Sequence, residues 1–463
     1  MHRFLLSAAH KSSGKTTVSI GLCAALRASD LDVQPFKKGP DYIDPLWLSE
    51  AAGRTCRNLD FHLAQEKELT AQFARYGHAA DVCLVEGNKG LYDGLDLHGA
   101  NSNAALARLL DLPVVLVLDA RGMTRGIAPL ILGYQAFDRD LKIAGVILNR
   151  LGGSRHEAKL RAVIEHYTDV AVLGAIQEDQ QLALCERHLG LIPANESSQA
   201  AQRIAAIGTR IAAQVDLDRL LSLTQTATIL PTPLPTKPSA KQPVRIAIAR
   251  DAAFGFYYAD DLDAFAAAGA ELIPFDTLRD AHLPDADGLF IGGGFPESFL
   301  DELEANASLR AEIGAAIGAG LPAYAECGGL MYLARSITWK GRCRRMVGSI
   351  EGDVVMHAKP VGRGYVRLAA TAAHPWLDDK GSLPAHEFHY SSIEGLGADT
   401  RYAYRMERGH GIDGARDGIV HKNLLASYTH LRSTAACNWV ARFVAHVRAC
   451  KAQQTPQQRI CQN

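Results

Sequence analysis

The sequence predicts an α/β protein with two domains, the first of them built on a parallel sheet. An apolar strand at Phe4-Leu5-Leu6 runs into a small-residue loop and a helix. Continuous aliphatic segments separated by helical spacing then recur, which is typical of a sheet covered on both faces. A stretch rich in Pro, Thr and Ser follows, and the α/β alternation restarts at Val244. Since 463 residues exceed what one core usually supports, we predict a first domain at 1–223, a linker at 224–243, a second domain at 244–450 and a disordered tail at 451–463.

The loop after the first strand is predicted to bind phosphate groups. It ends in the letters GKTT at residues 14–17, directly before a helical pattern. Such a loop turns backbone N–H groups toward phosphate oxygens, so it needs small residues; Lys15 adds charge and the Thr16 hydroxyl can bind Mg²⁺. Ala9 replaces the first glycine of the usual pattern. The predicted nucleotide-binding residues are Ser12, Ser13, Gly14, Lys15, Thr16, Thr17 and Asn149.

Polar residues follow three later strands of the first domain, at the sheet edge where α/β folds bind ligands. Glu86 ends the strand at 81–85 and is predicted to hold Mg²⁺ together with Thr16. Asn149 ends the strand at 143–148, where its amide could contact a nucleobase or cap a turn. The loop KKGPDYIDP supplies predicted substrate-binding residues Lys37, Lys38, Asp41, Tyr42 and Asp44, of which Asp41 is also a predicted metal ligand.

Composition excludes several classes of partner. Lys plus Arg (49) nearly cancel Asp plus Glu (50), which gives no electrostatic reason to expect nucleic acid or an anionic membrane. The apolar run Leu112–Leu118 is too short to span a bilayer. Nine cysteines are dispersed without a C-x-x-C pair, which favours a reducing cytoplasm. We therefore expect a cytoplasmic protein with neither nucleic acid nor membrane as partner.

A second chemical centre is predicted around Cys327. An apolar strand meets this cysteine before a helical pattern, with small residues at Ala325 and Gly329, as in a nucleophile elbow. The helix N-terminus favours thiolate over thiol. Upstream, the residues Gly292, Gly293 and Gly294 can bring N–H groups to a developing oxyanion. Downstream, His430 follows a strand and is a candidate general base, which together predicts thiol catalysis.

These motifs resemble those of the cobyrinic acid a,c-diamide synthase family, from Phe4 to about Phe443. SSGKTT, KKGPDYIDP and VEGNKGLYDG are similar to its dethiobiotin-synthetase-like P-loop domain. ARDAAFGFYY, GGGFPE, AYAECGGLMYL, HEFHYS and SYTH are similar to its class I glutamine amidotransferase domain. The resemblance implies ATP- and glutamine-dependent amidation of the a and c acetate carboxylates of a corrinoid polyacid, with Mg²⁺, through a thioester on Cys327 and an acyl phosphate at the ATP site.

The resemblance leaves several alternatives open. Sister ligases, such as Ni-sirohydrochlorin a,c-diamide synthase or cobyric acid synthase, share these motifs, and a non-enzymatic P-loop nucleotide switch is a further alternative. Most triad amidotransferases carry an acid two residues after the histidine, where this chain has Arg432. Glu387 is a candidate substitute, or it is only structural. A homodimer is left open as the oligomeric state.

Overall fold

The chain forms two compact units, Met1–Leu234 and Pro235–Asn463. The division falls within the predicted linker 224–243, whose residues 227–242 lie outside the described residues. The computed structural model describes residues 1–179, 186–187, 190–197, 199–226, 243–377 and 381–460.

The first unit is built on a parallel sheet, as the sequence predicts. Its strands are β1 (His2–Ala8), β2 (Val33–Lys38), β3 (Arg57–Leu59), β4 (Val82–Glu86), β5 (Val114–Asp119), β6 (Ile143–Leu151), β7 (Ala171–Gln177), β8 (Glu186–Arg187) and β9 (Gly190–Leu191). The first seven pair in the order β3-β2-β4-β1-β5-β6-β7, all parallel. β8 and β9 form a separate antiparallel pair. The central strands are aliphatic because apolar clusters cover both faces of the sheet.

Helices supply those two covering layers. They are α1 (Lys15–Ala28), α2 (Ile43–Ala52), α3 (Glu66–Gly77), α4 (Asn103–Leu109), α5 (Ile127–Phe137), α6 (Ser154–Tyr167), α7 (Ala200–Ala212) and α8 (Leu217–Thr224). α1 and α7 approach closely at Gly21, where a Cβ would lie 2.2 Å from Cγ1 of Ile211. This packing fixes the position of α1, which begins where the phosphate loop ends.

The second unit contains a mixed nine-stranded sheet. Its strands are β10 (Val244–Ala249), β11 (Phe254–Phe256), β12 (Ala270–Phe275), β13 (Gly288–Ile291), β14 (Gly293–Gly294), β15 (Ala323–Glu326), β16 (Ala334–Trp339), β17 (Arg342–Arg345), β18 (Ile350–Met356), β19 (Gly362–Ala370), β20 (Ser382–His389), β21 (Ser391–Glu394), β22 (Arg401–Arg408), β23 (Arg416–His421) and β24 (Leu424–Ser427). The order is β12-β10-β13-β15-β24-β23-β22-β19-β20, parallel as far as β24 and antiparallel beyond it. β17-β16-β18-β21 form a second sheet, and β11 pairs with β14.

The described α-helices of this unit are α9 (Ala259–Ala267), α10 (Leu300–Ala305), α11 (Ala307–Gly318), α12 (Gly328–Leu333) and α13 (Trp439–Ile460). α13 buries Trp439 and Phe443 against Phe290 and Tyr324 of the sheet. The helix extends into the segment 451–463, for which the sequence predicts disorder; residues 461–463 lie outside the described residues. No described helix combines the length and apolar composition needed to cross a membrane.

Candidate active sites

The phosphate loop joins β1 to α1 through two residues in the left-handed region. Ser12 has φ 63° and Gly14 has φ 87°. A Cβ on Gly14 would lie 2.2 Å from Nδ2 of Asn149, so glycine is required there by both backbone and space. The Ser13 side chain is buried and donates to the carbonyl of His10 at 2.9 Å. These contacts fix the conformation of the loop directly before the N-terminus of α1.

Asn149 supports this loop from the end of β6. Its Nδ2 donates to the Ser13 carbonyl at 2.9 Å and its Oδ1 accepts the Arg150 N–H at 3.0 Å. Arg150 adds a hydrogen bond to the Ser12 carbonyl at 2.9 Å and pairs with Asp119 at 2.8 Å. Asn149, predicted to bind nucleotide, therefore contacts the loop itself. The sequence analysis assigned no role in this loop to Asp119 or Arg150. Their positions at the ends of two adjacent strands, β5 and β6, were the pattern that could have indicated one.

Beside the loop, the carboxylates of Asp44 and Glu86 each contact the Lys37 ammonium group and the Thr16 hydroxyl. Lys37 Nζ lies 2.5 Å from Asp44 Oδ2 and 2.8 Å from Glu86 Oε1. Thr16 Oγ1 lies 2.8 Å from Glu86 and 3.3 Å from Asp44. Burial raises the pKa of Glu86, and Lys37 opposes that shift. Burial lowers the pKa of Lys37, but Asp44 and Glu86 outweigh it and raise that pKa well above its usual value.

This oxygen-rich group fits a magnesium ion. Glu86 is fully buried, and its Oε2 has no hydrogen-bond partner within the described part of the chain. Mg²⁺ takes carboxylate and hydroxyl oxygens and retains several waters, so Thr16, Asp44 and Glu86 are a suitable partial ligand set. Among the described residues, no group of three or more His, Cys, Asp or Glu side chains is arranged to hold a metal ion by itself.

Asp41, predicted as a metal ligand and substrate contact, uses one carboxylate oxygen to bind the backbone. Its Oδ1 accepts the backbone N–H groups of Ile43 at 2.9 Å and of Asp44 at 3.1 Å, at the start of α2. Its Oδ2 lies 3.9 Å from Lys37 Nζ. Asp44, predicted as a substrate contact with a metal role as the alternative, is the carboxylate of this loop that faces Thr16. The i, i+3 spacing of the two acids on a loop did not show which of them turns inward.

Two further lysines border the loop after β4. Lys15 Nζ donates to the Lys89 carbonyl at 2.7 Å, and Lys38 Nζ donates to Asn88 Oδ1 at 3.0 Å. Burial lowers the pKa of each to about 8; the charge of Lys37 adds to this shift at Lys15, and at Lys38 the charges of Lys89 and Lys37 add to it while Asp60 opposes it. A phosphate or carboxylate placed beside either group would favour its charged form. Thr17 and Tyr42 are half-buried at the starts of α1 and α2.

In the second unit, Cys327 occupies a strained turn between β15 and α12. Its φ of 48° and ψ of −103° are unusual for a residue with a side chain. Its N–H donates to the Ser427 carbonyl of β24 at 2.7 Å. A Cβ on Gly329 would lie 2.2 Å from the Ile291 carbonyl oxygen, which explains the small residue two positions after the cysteine. This is the geometry of a nucleophile elbow.

His430 lies against Cys327 and Glu326. Its side chain hydrogen bonds to Cys327, and its Nδ1 is 3.4 Å from Glu326 Oε2. Burial lowers the pKa of His430, but hydrogen bonds to these two residues and their charges outweigh burial and raise it to about 10. His386 stacks on the His430 ring with centroids 4.8 Å apart, and its Nδ1 lies 3.2 Å from the Tyr258 hydroxyl.

The glycine loop packs directly on this pair. A Cβ on Gly293 would lie 2.7 Å from Cε1 of His430, and a Cβ on Gly328 would lie 3.0 Å from the Gly294 nitrogen. The Gly292 N–H, which was predicted to face an oxyanion, instead donates to the Tyr257 hydroxyl at 3.0 Å. If this loop stabilises an oxyanion, we expect the oxyanion to lie near Gly294 and Gly328, the residue after the nucleophile.

Glu387 does not contact His430. It accepts the N–H groups of His410 and Gly411 at 2.7 and 2.8 Å, and lies 3.6 Å from His389 Nε2. Burial raises the pKa of Glu387, but these donors reverse the shift and lower it. The carboxylate beside His430 is Glu326, which sequence reasoning missed. Its signal was a charged residue at the end of an otherwise apolar buried strand.

Comparisons with known proteins match both units. Residues 7–191 match the CobQ/CobB/MinD/ParA nucleotide binding domain, and residues 245–436 match the CobB/CobQ-like glutamine amidotransferase domain. The chain is 44% identical to cobyrinate a,c-diamide synthase of Magnetococcus marinus, covering 95% of this chain and 97% of that protein. It is 41% identical to the synthase of that name from Methanosarcina acetivorans, covering 98% and 97%. Identity to the corresponding Listeria innocua protein is 39%, covering 93% and 96%.

Proposed function

Because the chain belongs to the cobyrinate a,c-diamide synthase family, we propose that it amidates the a and c acetate carboxylates of cobyrinic or hydrogenobyrinic acid at the two sites above. It is a glutamine-hydrolysing, ATP-dependent amide ligase. One observation carries the site assignment: a single chain holds a buried Cys327–His430 pair and a phosphate loop with an adjacent acidic group. A carboxylase or a nucleotide switch would need only the second of these.

The Cys327 site releases ammonia from glutamine. His430 accepts the thiol proton, and the sulfur attacks the side-chain amide carbon while Gly294 and Gly328 N–H groups stabilise the oxyanion. The carbon–nitrogen bond then breaks, and His430 returns the proton to the leaving ammonia. Water hydrolyses the remaining thioester to glutamate, which regenerates the thiol.

The first unit activates the acceptor carboxylate. Lys15 and the loop N–H groups hold the triphosphate of ATP, and a substrate carboxylate attacks the γ-phosphorus to give an acyl phosphate and ADP. Thr16, Asp44 and Glu86 would hold Mg²⁺, which would neutralise part of the negative charge of the triphosphate. Ammonia adds to the acyl carbon, and phosphate leaves.

Lys38 is the best candidate to bind the tetrapyrrole acid. Lys37 already contacts two carboxylates, whereas Lys38 donates to the neutral amide of Asn88 and is attracted by the charge of Asp60. Tyr42 borders the same loop. Two successive rounds, each using one ATP and one glutamine, would yield the a,c-diamide.

The test is mass spectrometry of the purified protein with ATP, Mg²⁺, glutamine and one of three acids: cobyrinic acid, hydrogenobyrinic acid or Ni-sirohydrochlorin. We expect a diamide from one of the first two. Amidation of Ni-sirohydrochlorin alone would replace this proposal with the sister ligase, and amidation of none would refute it.

We also propose a cytoplasmic location, which suits the seven described cysteines, all free thiols, and a homodimer, which light scattering would test.

A further inference from the structure

The position two residues after His430, where most triad amidotransferases have an acid, has another role in this chain. Arg432 is buried, and its Nη2 lies 2.6 Å from Asp260 Oδ2. Its guanidinium lies over the Tyr258 ring at 5.2 Å. A cation held there cannot accept the Nδ1 proton of His430.

Glu326 provides the carboxylate instead, from the residue directly before the nucleophile. It is 3% exposed, and its Oε2 is the oxygen 3.4 Å from His430 Nδ1. Its Oε1 accepts the Leu431 N–H at 2.8 Å and the Tyr324 O–H at 2.7 Å. Two donors thus fix the carboxylate, and one of them belongs to the residue that follows His430.

We propose that Glu326 is the positioning residue of His430. The carboxylate accepts the Nδ1 proton, so Nε2 is left with its lone pair toward the Cys327 thiol. When Nε2 takes the thiol proton, the negative charge of Glu326 stabilises the imidazolium that forms. This inference rests on the proposed assignment of Cys327 and His430 to glutamine hydrolysis.

The other groups around His430 do not perform this task. His386 stacks face to face on the imidazole and directs its Nδ1 to the Tyr258 hydroxyl. The Arg432–Asp260 pair lies beyond the Tyr258 ring. Cys327 and Glu326 both contact the His430 side chain.

The decisive variant is Glu326→Gln. Its amide oxygen can still accept from Leu431 and Tyr324, but its NH₂ would face Nδ1 and favour the tautomer with the proton on Nε2. We expect the glutaminase kcat to fall roughly 10²- to 10³-fold, with KM for glutamine nearly unchanged. The alkaline limb of kcat/KM, which marks loss of the proton that His430 has taken from the Cys327 thiol, should move to lower pH, because loss of a neighbouring negative charge lowers the pKa of an imidazolium. Synthesis with ammonium as nitrogen donor should stay at the parent rate.

Two matched controls separate positioning from packing. Tyr324→Phe removes one donor to Glu326 but keeps the carboxylate, so the alkaline limb should stay at the parent pH. Glu387→Gln removes a buried carboxylate that contacts His389 and not His430, with the same expectation. A parent-like kcat and pH profile in Glu326→Gln would overturn the inference, as would the same limb shift in Glu387→Gln.

Two further variants make every outcome decisive. If Glu326→Gln does not fold, Glu326→Asp keeps the charge on a side chain one methylene shorter; a reduced kcat with the parent alkaline limb supports the inference, and a parent kcat overturns it. Cys327→Ala tests the premise separately. If that variant still hydrolyses glutamine, the site assignment fails; if it is inactive while both Glu326 variants behave as the parent, only this inference fails.

Discussion

Replacing Glu86 with glutamine tests whether the buried acidic group of the first unit serves ATP chemistry. Gln has the same shape and keeps an oxygen for the Thr16 hydroxyl, but it removes the charge 2.8 Å from Lys37 Nζ. Asp44 is then the remaining carboxylate of the proposed magnesium site, and the charge of Lys37 is balanced by Asp44 together with the more distant Asp41, at 3.9 Å. Because carboxylate activation precedes amination, we expect synthesis to fall with glutamine and with ammonium alike.

The size of both effects follows from the contacts. Loss of one electrostatic contact to a reacting group typically costs about 10²- to 10³-fold in rate, and we expect that range for either nitrogen donor. Complete removal of a buried ionic partner costs roughly 3–5 kcal/mol. Lys37 keeps Asp44 at 2.5 Å, so the free energy of unfolding should decrease less, by about 2 kcal/mol.

The assay measures diamide formation by mass spectrometry. The Mg²⁺ concentration is varied about 100-fold, and its highest value is on the order of millimolar, because such ions are held weakly. Glu86→Gln should need more Mg²⁺ for half-maximal rate. Asp41→Asn is the matched control, since Asp41 accepts backbone N–H groups at the start of α2 and does not contact Thr16. Near-parent turnover of Glu86→Gln with ammonium, or an equal Mg²⁺ shift in Asp41→Asn, would refute this assignment of the metal site.

Three other variants test the remaining assignments. Cys327→Ala should abolish glutamine-dependent amidation and keep the ammonium-dependent rate; a parent-like glutaminase rate would exclude Cys327 as the nucleophile. Gly293→Ala should lower the glutaminase rate at least about tenfold and spare ATP use, because its Cβ would lie 2.7 Å from Cε1 of His430; normal glutamine hydrolysis would show that the loop can move aside. Burial lowers the pKa of Lys38 to about 8, so KM for the tetrapyrrole acid should rise above that pH in the parent. In Lys38→Arg the KM should stay flat, because the guanidinium keeps its charge. The same rise in both proteins would show that Lys38 does not bind the substrate.

The sequence predicts the positions of both sites because each depends on local backbone geometry. A strand, a small-residue turn and a helix are written in consecutive residues, so Gly14 and Cys327 were identifiable without any long-range contact. The partners of these turns come from distant segments. The order of the strands in each sheet brings Asn149 to Ser13 and His430 to Cys327.

The direction of individual carboxylates could not be predicted in the same way. Asp41 and Asp44 share one loop, and the start of α2 decides that Asp41 binds backbone while Asp44 faces Thr16. Glu387 lies in a motif-like stretch with two histidines, but β20 directs it to the Gly411 N–H. Side-chain direction in these cases depends on the hydrogen-bond donors that the fold supplies, which a single sequence does not show.

The two sites use the same backbone device for two kinds of negative charge. In each, a parallel strand leads into a turn, and a residue with positive φ, Gly14 or Cys327, directly precedes a helix, so the N–H groups at the helix start can face one position. The triphosphate carries its charge throughout binding, and Lys15 and Lys37 lie beside that loop. The oxyanion at Cys327 exists only during the reaction, and there the stabilising groups are backbone dipoles. A fixed cation at that position would also hold the product glutamate, whereas dipoles stabilise the transition state more than either ground state.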